Sequence, residues 1–479
     1  MDRWPPAFIL RQPSVPSMRP PSPLLALAML ASFAGQAMAQ LAMTQLAEFD
    51  VAAVGIGPGL GAVAWNGTDL VVAGFNTGST VQTVALARCS NALSAPLWSA
   101  PFGPQAGTNT QRGFVNLAFS QNGQQLAVGY DNGAAPVATA ALQLWSAGTM
   151  LWAKAGRGSS GVGFDPGFPV GSGQGAGVAW ARFGTTGRAL QLASSGADVW
   201  TFVDGMSLNV AGQGTFFRDL DFDPLTGDVY LRASNNVFVG LRTADNACMP
   251  LVLVDTVEAD TVPMQNVAVV RASTGAALLW NDRTSVAAGQ AWATSIRASR
   301  LDGTPQAIDW GTFAPPTGNG AYDFSFHAGS NTVAIGDFAN RKVHLFAVTV
   351  PPYYAYGQGC TGASVLTPTL TATSTLQPGI GGTFTWQIGN VPSFSAVVLV
   401  LGFAPLNMPL IGSCSTLVDP GAFVGPFVTG PLWSTLSVPW QVPSGFPGFE
   451  LYSQVGLFVN GVPDVSMLAV SNGLKLVVP

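Results

Sequence analysis

Four oxygen-bearing side chains could together bind a metal ion, because each occupies the third position of a recurring six-residue segment. They are Asn116, Asp219, Asn266 and Asp323. If these segments are neighbouring strands around one axis, alternation points equivalent side chains to one face, where they can converge. Carboxylate and amide oxygens suit a hard cation such as calcium, and no other cofactor is expected. A simpler interpretation is that Asp and Asn at strand ends bond to nearby backbone groups.

Other kinds of chemistry have little support in the composition. Two histidines, His327 and His344, serve all 479 residues, which excludes a metal centre built from several histidines. Lys and Arg total 19 against 24 Asp and Glu, and the largest basic cluster is the pair Arg341-Lys342. Nucleic-acid binding needs a basic face, so we expect no nucleic-acid partner.

The four cysteines fall into two pairs with different expectations. Cys360 and Cys414 lie close together in the C-terminal part of the chain, and we expect them to form a disulfide. Cys89 and Cys248 follow the third strands of two distant repeats, so we expect free, partly buried thiols.

The N-terminus is typical of an export signal. Residues 21–35 (PSPLLALAMLASFAG) form a short apolar core after Arg19, and Ala37-Met38-Ala39 gives a small-x-small cleavage pattern before Gln40. We therefore predict a signal peptide over residues 1–39, with Met18 as an alternative start and an uncleaved anchor as the alternative role. The expected location is secreted, periplasmic or at the cell surface, where disulfides form. No later apolar run is long enough to suggest a transmembrane segment in the mature chain.

A repeat organises residues 40–350. Each unit begins with a short strand that contains the third-position residue, and these segments are LGAVAW (60–65), FVNLAF (114–119), GAGVAW (175–180), FRDLDF (217–222), MQNVAV (264–269) and AYDFSF (321–326). After a turn come two further strands, and a fourth is visible in most units. Four-stranded units at this spacing predict a β-propeller of six blades, with a degenerate seventh within 150–175 as the alternative. In this alignment Ala62 and Gly177 occupy the same position in the two remaining units. The four polar residues at this position, Asn116, Asp219, Asn266 and Asp323, are called the polar column below.

The sixth unit lacks a fourth strand before Pro351, whereas residues 41–54 precede the first unit without a partner. We therefore predict that this N-terminal segment closes the ring as the outer strand of the last blade.

The repeat resembles WD-repeat and YVTN-type propellers, most clearly in FVNLAFSQNGQQLAVGY and RDLDFDPLTGDVYLRAS. It lacks the Gly-His and Trp-Asp dipeptides of WD repeats, so the resemblance implies the fold and not an activity. In residue type, the polar column also resembles the metal site of gluconolactonase-like six-bladed hydrolases, which combine Glu, Asn and Asp.

We predict a separate antiparallel β-sandwich over residues 351–479. Runs of apolar residues, or of alternating apolar and polar residues, are separated there by Pro- and Gly-rich turns. The pieces YGQGC, IGSCSTLVDP and LAVSNGLKLVV resemble a C-terminal module of large exported bacterial proteins. That resemblance implies export and surface association.

The sequence thus predicts an all-β protein and favours an exported, non-enzymatic propeller that acts as a binding or scaffold module for an unidentified ligand or protein partner. The alternative is a metal-dependent hydrolase, similar to lactonases or esterases, with its site at the channel mouth. A carbohydrate-binding lectin is a third hypothesis and would need solvent-facing aromatic side chains on one rim.

Overall fold

The computed structural model describes most strands of the chain from residue 41 onward. The described residues are 41–54, 60–74, 84–90, 96–102, 113–131, 138–156, 159–166, 177–182, 188–192, 198–204, 217–233, 236–240, 252–256, 266–281, 295–317, 321–337, 340–356, 359–361, 367–376, 380–410, 414–430, 434–446, 448–459 and 468–478. The predicted signal peptide and Cys248 lie outside these ranges, as does the side chain of Cys89. Within the described ranges, no helix is both long and apolar enough to cross a membrane.

The first described strand is β1 (Leu41–Asp50), which a short 3-10 turn (Val51–Val54) follows. Three antiparallel four-stranded sheets come next, each in simple chain order. The first contains β2 (Leu60–Trp65), β3 (Asp69–Gly74), β4 (Val84–Ser90) and β5 (Pro96–Phe102). The second contains β6 (Gly113–Phe119), β7 (Gln125–Asp131), β8 (Ala138–Ser146) and β9 (Thr149–Gly156). The third contains β10 (Ser159–Asp165), β11 (Gly177–Arg182), β12 (Arg188–Leu192) and β13 (Asp198–Asp204).

Three further sheets complete this part of the chain. The fourth contains β14 (Phe217–Phe222), β15 (Val229–Ala233), β16 (Asn236–Gly240) and β17 (Val252–Thr256). The fifth contains β18 (Val267–Ala272), β19 (Gly275–Asn281), β20 (Ile296–Ser299) and β21 (Pro305–Gln306). The sixth contains β22 (Ile308–Asp309), β23 (Ala321–His327), a 3-10 turn (Ala328–Ser330), β24 (Thr332–Asp337) and β25 (Lys342–Thr349), together with β1.

The six sheets that the described residues form are arranged as a β-propeller, and the predicted number of blades stays a prediction. One edge strand of each sheet contacts the corresponding strands of the sheets before and after it, in the cycle β2, β6, β10, β14, β18, β23 and back to β2. These six are the inner strands, and they surround a central channel. Radial packing of small sheets protects most of their edges, as expected for this fold.

The inner strand of the third sheet is not the one that the sequence alignment gave. GAGVAW contains β11, the second strand, whereas the inner strand is β10 (SSGVGFD). Gly177 is therefore not in the inner column, and Gly161 takes its place. A side chain there would collide with the next sheet, because a Cβ atom on Gly161 would lie 2.5 Å from the Cα atom of Asp219.

The N-terminal strand closes the ring, as predicted. β1 pairs antiparallel with β25 and joins the sixth sheet, with β22 on its other side. Leu41 and Met43 are 0% and 1% exposed and belong to an apolar cluster with residues of the fifth and sixth sheets. Hydrophobic burial therefore adds to the backbone pairing in holding this strand.

The strands after residue 350 form separate sheets. A six-stranded sheet contains β26 (Tyr353–Tyr356), β29 (Ala396–Gly402), β32 (Ala422–Val428), β34 (Glu450–Phe458), β35 (Leu468–Val470) and β36 (Gly473–Val477). A three-stranded sheet contains β27 (Thr369–Ser374), β28 (Gly382–Val391) and β33 (Ser434–Val442), and a hairpin pairs β30 (Pro405–Pro409) with β31 (Ser415–Val418).

Both larger C-terminal sheets contribute side chains to one apolar cluster, which includes Phe384, Trp386 and Leu399. The predicted disulfide between Cys360 and Cys414 is present and links residues 54 positions apart. The division into two independent domains at residue 350 stays a prediction.

A buried arginine joins the propeller to the C-terminal sheets. The guanidinium group of Arg300, just after β20, donates hydrogen bonds to the carbonyl oxygens of Pro351 at 2.7 Å and Tyr353 at 2.8 Å. It also lies 4.9 Å from the ring centroid of Tyr354, whose hydroxyl group donates to Asp302. The first C-terminal strand is thus held by charge-assisted bonds to the fifth sheet.

Candidate functional site

The inner strands present backbone N–H groups to the channel, and the polar column bonds to them. An inner strand has a sheet partner on one side alone, so its other edge carries donors that need acceptors. The carboxylate of Asp219 accepts from Val267 N at 2.9 Å, in the next sheet. Asp323 accepts from Val63 N at 2.7 Å in the same manner.

Asn116 makes the equivalent bond in the second sheet, where its Oδ1 accepts from Val162 N at 3.1 Å. A second layer lies two residues farther along the strands. Asp221 accepts from Val269 N at 2.7 Å, and the hydroxyl oxygen of Ser325 accepts from Trp65 N at 2.9 Å. Side chains of one sheet thus replace the missing backbone partners of the next.

The column residues also bond to one another in two pairs. Asn116 Nδ2 donates to Asp219 Oδ1 at 2.6 Å, and Asn266 Nδ2 donates to Asp323 Oδ1 at 2.7 Å. The first pair spans the third sheet, where Gly161 has no side chain to fill the space. The structure therefore brings the four predicted site residues to the channel, each no more than 3% exposed.

Calcium does not fit this arrangement well. Each carboxylate oxygen of Asp219 and Asp323 already accepts at least one N–H, because Leu220 N and Phe324 N donate in addition to the bonds above. The paired asparagines direct their NH₂ groups, not their oxygens, at the carboxylates. Across the described ranges, no three His, Cys, Asp or Glu side chains lie close enough to share a metal ion. A metal at the column stays a prediction that this donor arrangement disfavours.

The dry surroundings oppose ionisation of the acids. Burial, followed by the charge of Asp323, raises the pKa of Asp219 well above its usual range. Burial also raises the pKa of Asp323, against the effect of its hydrogen bonds from Val63, Phe324 and Asn266. Burial raises the pKa of Asp221 to about 7. The inner strands therefore hold acids whose ionisation is unfavourable in the folded protein.

We expect the stability of the protein to fall as the pH rises from about 4 to about 7. The folded state keeps the proton of Asp221 up to about pH 7, whereas an unfolded Asp releases it near pH 4. The free energy of unfolding should thus decrease by about 1.4 kcal/mol per pH unit in this window for that one group. The free energy of unfolding, measured by urea denaturation between pH 4.5 and 6.5, should change less with pH in Asp221→Asn than in the unaltered protein. An equal pH dependence in the two proteins would show that Asp221 does not keep its proton in the folded state. Asp309→Asn, at an exposed position at the end of β22, is the control.

A cavity of about 290 Å³ lies along the inner strands. Its lining includes Asp219, Asp221 and His327 and five aromatic side chains, namely Trp65, Phe119, Phe164, Phe222 and Phe326. The exposed turn residues Gln121 and Gly329 also line it, so it reaches the surface.

His327 contributes a neutral ring to this cavity. Its Nδ1 accepts a hydrogen bond from Ser330 N at 3.2 Å, which places the proton of the neutral ring on Nε2. Burial lowers the pKa of His327. The ring also packs against Gly67, where a Cβ atom would lie 2.4 Å from Cε1 of the histidine.

The second histidine has a different environment. His344 is 1% exposed on β25, in the outer half of the sixth sheet, and lies 3.5 Å from Glu48 on β1. It belongs to the contacts that hold β1 and is not among the residues that line the cavity. Ser325 and the four phenylalanines of the cavity were not predicted from the sequence. The alternating side chains of FRDLDFD (217–223) and AYDFSFH (321–327) could have indicated them, since every second residue of these strands faces the next sheet.

Neither a protein-family profile nor a curated protein sequence matches the chain. Solved structures with similar folds include the β-propeller domain of Cps50 (Swd1) from Myceliophteria thermophila, with 9% identity, a TM-score of 0.35, and coverage of 60% of this chain and 84% of that one. A structural genomics protein of unknown function from Bacteroides thetaiotaomicron has 11% identity, a TM-score of 0.38, and coverage of 65% and 75%. The assignment of this chain to the β-propeller fold therefore rests on its own sheet order and on the closed cycle of inner strands.

Proposed function

We propose that the protein is an exported, non-enzymatic propeller that serves as a binding or scaffold module. The observation that carries this proposal is the use of the polar column. Asp219 and Asp323 direct their oxygens to N–H groups of neighbouring sheets, which leaves the column engaged in holding the ring. The cavity beside it combines aromatic walls with polar side chains that include Asp221, Ser325 and His327, and this has the character of a small-ligand site.

Bound metal is the test that separates this function from a lactonase-like or esterase-like hydrolase. Residues 40–479, purified from a metal-replete preparation, should contain far less than one calcium ion per chain. EDTA should leave the melting temperature unchanged, and a panel of lactones and esters should show no turnover. One calcium per chain, a lower melting temperature in EDTA and metal-dependent turnover would establish the hydrolase instead.

Surface association through residues 351–479 is the second part of the proposal. Large apolar side chains are exposed there, including Phe403 at 69%, Phe423 at 67% and Val428 at 76%. Most of the large apolar side chains that are exposed in the described part of the chain lie after residue 351, and patches of such groups mark interaction surfaces in other proteins. The export part is supported by residues 21–39, and the mass of the protein recovered from its host should correspond to a chain that begins at Gln40.

A further inference from the structure

The cavity along the inner strands is lined by acidic side chains that no described basic side chain balances. Asp219 and Asp221 line it, and the described residues of its lining include no Lys or Arg. Arg271 lies nearby on β18, but its guanidinium group is paired with Asp223. Above about pH 7, where Asp221 is ionised and His327 is neutral, the described wall offers the negative charge of Asp221 and no compensating cation. A site of this kind favours cations over neutral or anionic ligands.

Asp221 has more free acceptor capacity than Asp219. Each of its two oxygens accepts one backbone N–H, from Phe222 at 2.8 Å and from Val269 at 2.7 Å. A carboxylate has about four lone-pair positions, so both oxygens can accept again. Asp221 is also half-buried, whereas Asp219 is 3% exposed and already accepts three N–H groups.

The aromatic walls fit the rest of such a ligand. Phe119, Phe164 and Phe326 are half-buried and line the cavity together with Trp65. Aromatic faces attract organic cations through their quadrupoles, and they also cover apolar groups. An inorganic ion would gain little from these walls, which points to a cation with an apolar part.

We propose that this cavity binds a small organic ammonium ion, with the ammonium group hydrogen-bonded to the Asp221 carboxylate and the apolar part against the aromatic walls. This inference rests on the proposed binding function and specifies the class of its ligand. Asp221 acts as the ligand anchor, while Asp219 stays in the bonds that hold the ring. His327 lines the same cavity, and the Nε2–H group of its neutral ring is its donor for a polar substituent of the ligand.

Benzylamine and its neutral analogue benzyl alcohol provide a matched pair of probes. Isothermal titration of residues 40–479 at pH 8 should show benzylamine binding at least about tenfold more tightly, because a charge-assisted hydrogen bond is stronger than a neutral one. Asp221→Asn should remove at least about tenfold of the benzylamine affinity, whereas Asp309→Asn should leave it unchanged. The comparison of the two probes on the unaltered protein stays valid even if Asp221→Asn fails to fold.

Several outcomes would overturn the inference without touching the proposed function. Equal affinities for the two probes would show that the cavity does not select a charge. Full benzylamine affinity in a folded Asp221→Asn protein would show that the ammonium group binds elsewhere, and no binding of benzylamine would show that the cavity does not take this class. Failure of the non-enzymatic function would appear separately, as bound calcium and metal-dependent turnover.

Discussion

Replacing Asp219 with alanine should destabilise the propeller by roughly 5 kcal/mol, since a buried donor that loses its acceptor costs about 1–3 kcal/mol. Three donors lose their acceptor at once, namely Asn116 Nδ2, Leu220 N and Val267 N. Because the Asp219 side chain is almost completely buried, water is a poor substitute acceptor for these three donors. The effect should extend beyond the fourth sheet, since the donors belong to the second, fourth and fifth.

Chemical denaturation at pH 7 would measure this loss. Asp309→Ala is the matched control, because Asp309 is exposed and accepts one local bond from Gly311 N. We expect the control to change the free energy of unfolding by less than about 1 kcal/mol. Similar values for the two variants would show that the polar column does not hold the sheets together.

Replacing Met43 with aspartate should prevent stable closure of the ring. Met43 is 1% exposed on β1 and lies in the apolar cluster shared by the fifth and sixth sheets. An unpaired carboxylate there costs several kcal/mol after relaxation of the site, in addition to about 2 kcal/mol of lost apolar burial. We expect a melting temperature more than about 10 °C lower, or a chain recovered mainly in insoluble form.

Leu46→Asp is the matched control for this second variant. Leu46 is on the same strand but is 56% exposed, so the same change of side-chain type should have little effect. Equal melting temperatures for Met43→Asp, Leu46→Asp and the unaltered protein would show that β1 does not contribute to the stability of the ring.

The polar column could be found in the sequence, but its role could not. Asn116, Asp219, Asn266 and Asp323 recur at one strand position, and this is visible without coordinates. An Asp that accepts backbone N–H groups and an Asp that binds calcium look the same in a sequence, because the residue type and the strand position are identical. Only the directions of the neighbouring donors distinguish the two roles, and those directions follow from how successive sheets pack.

The repeat was predictable wherever the inner strand carried large apolar residues. The third sheet departs from this pattern, because its inner strand has Gly161 and Gly163 where the others have side chains. Those glycines are needed because the fourth sheet comes close at Asp219 and Leu220. The segment Ser159–Asp165, which the sequence suggested only as part of a possible seventh unit, is therefore an inner strand, and this displaced the alignment of the third unit by one strand. By contrast, the closing strand was predictable, since an unpaired apolar segment and an incomplete last unit stand at opposite ends of the repeat.

Closure by β1 also constrains when the protein can fold. A strand beginning at residue 41 pairs with one ending at residue 349, so these partners are separated by nearly the whole length of the propeller. During synthesis the N-terminus emerges first, so β1 stays unpaired until β25 has been synthesised. Pairings between such distant segments fold slowly, because the loop must be closed before the contacts can stabilise it. We therefore expect closure of the last blade to be the slow step of folding. Until residue 349 has been synthesised, β1 has no strand to pair with and the ring cannot close.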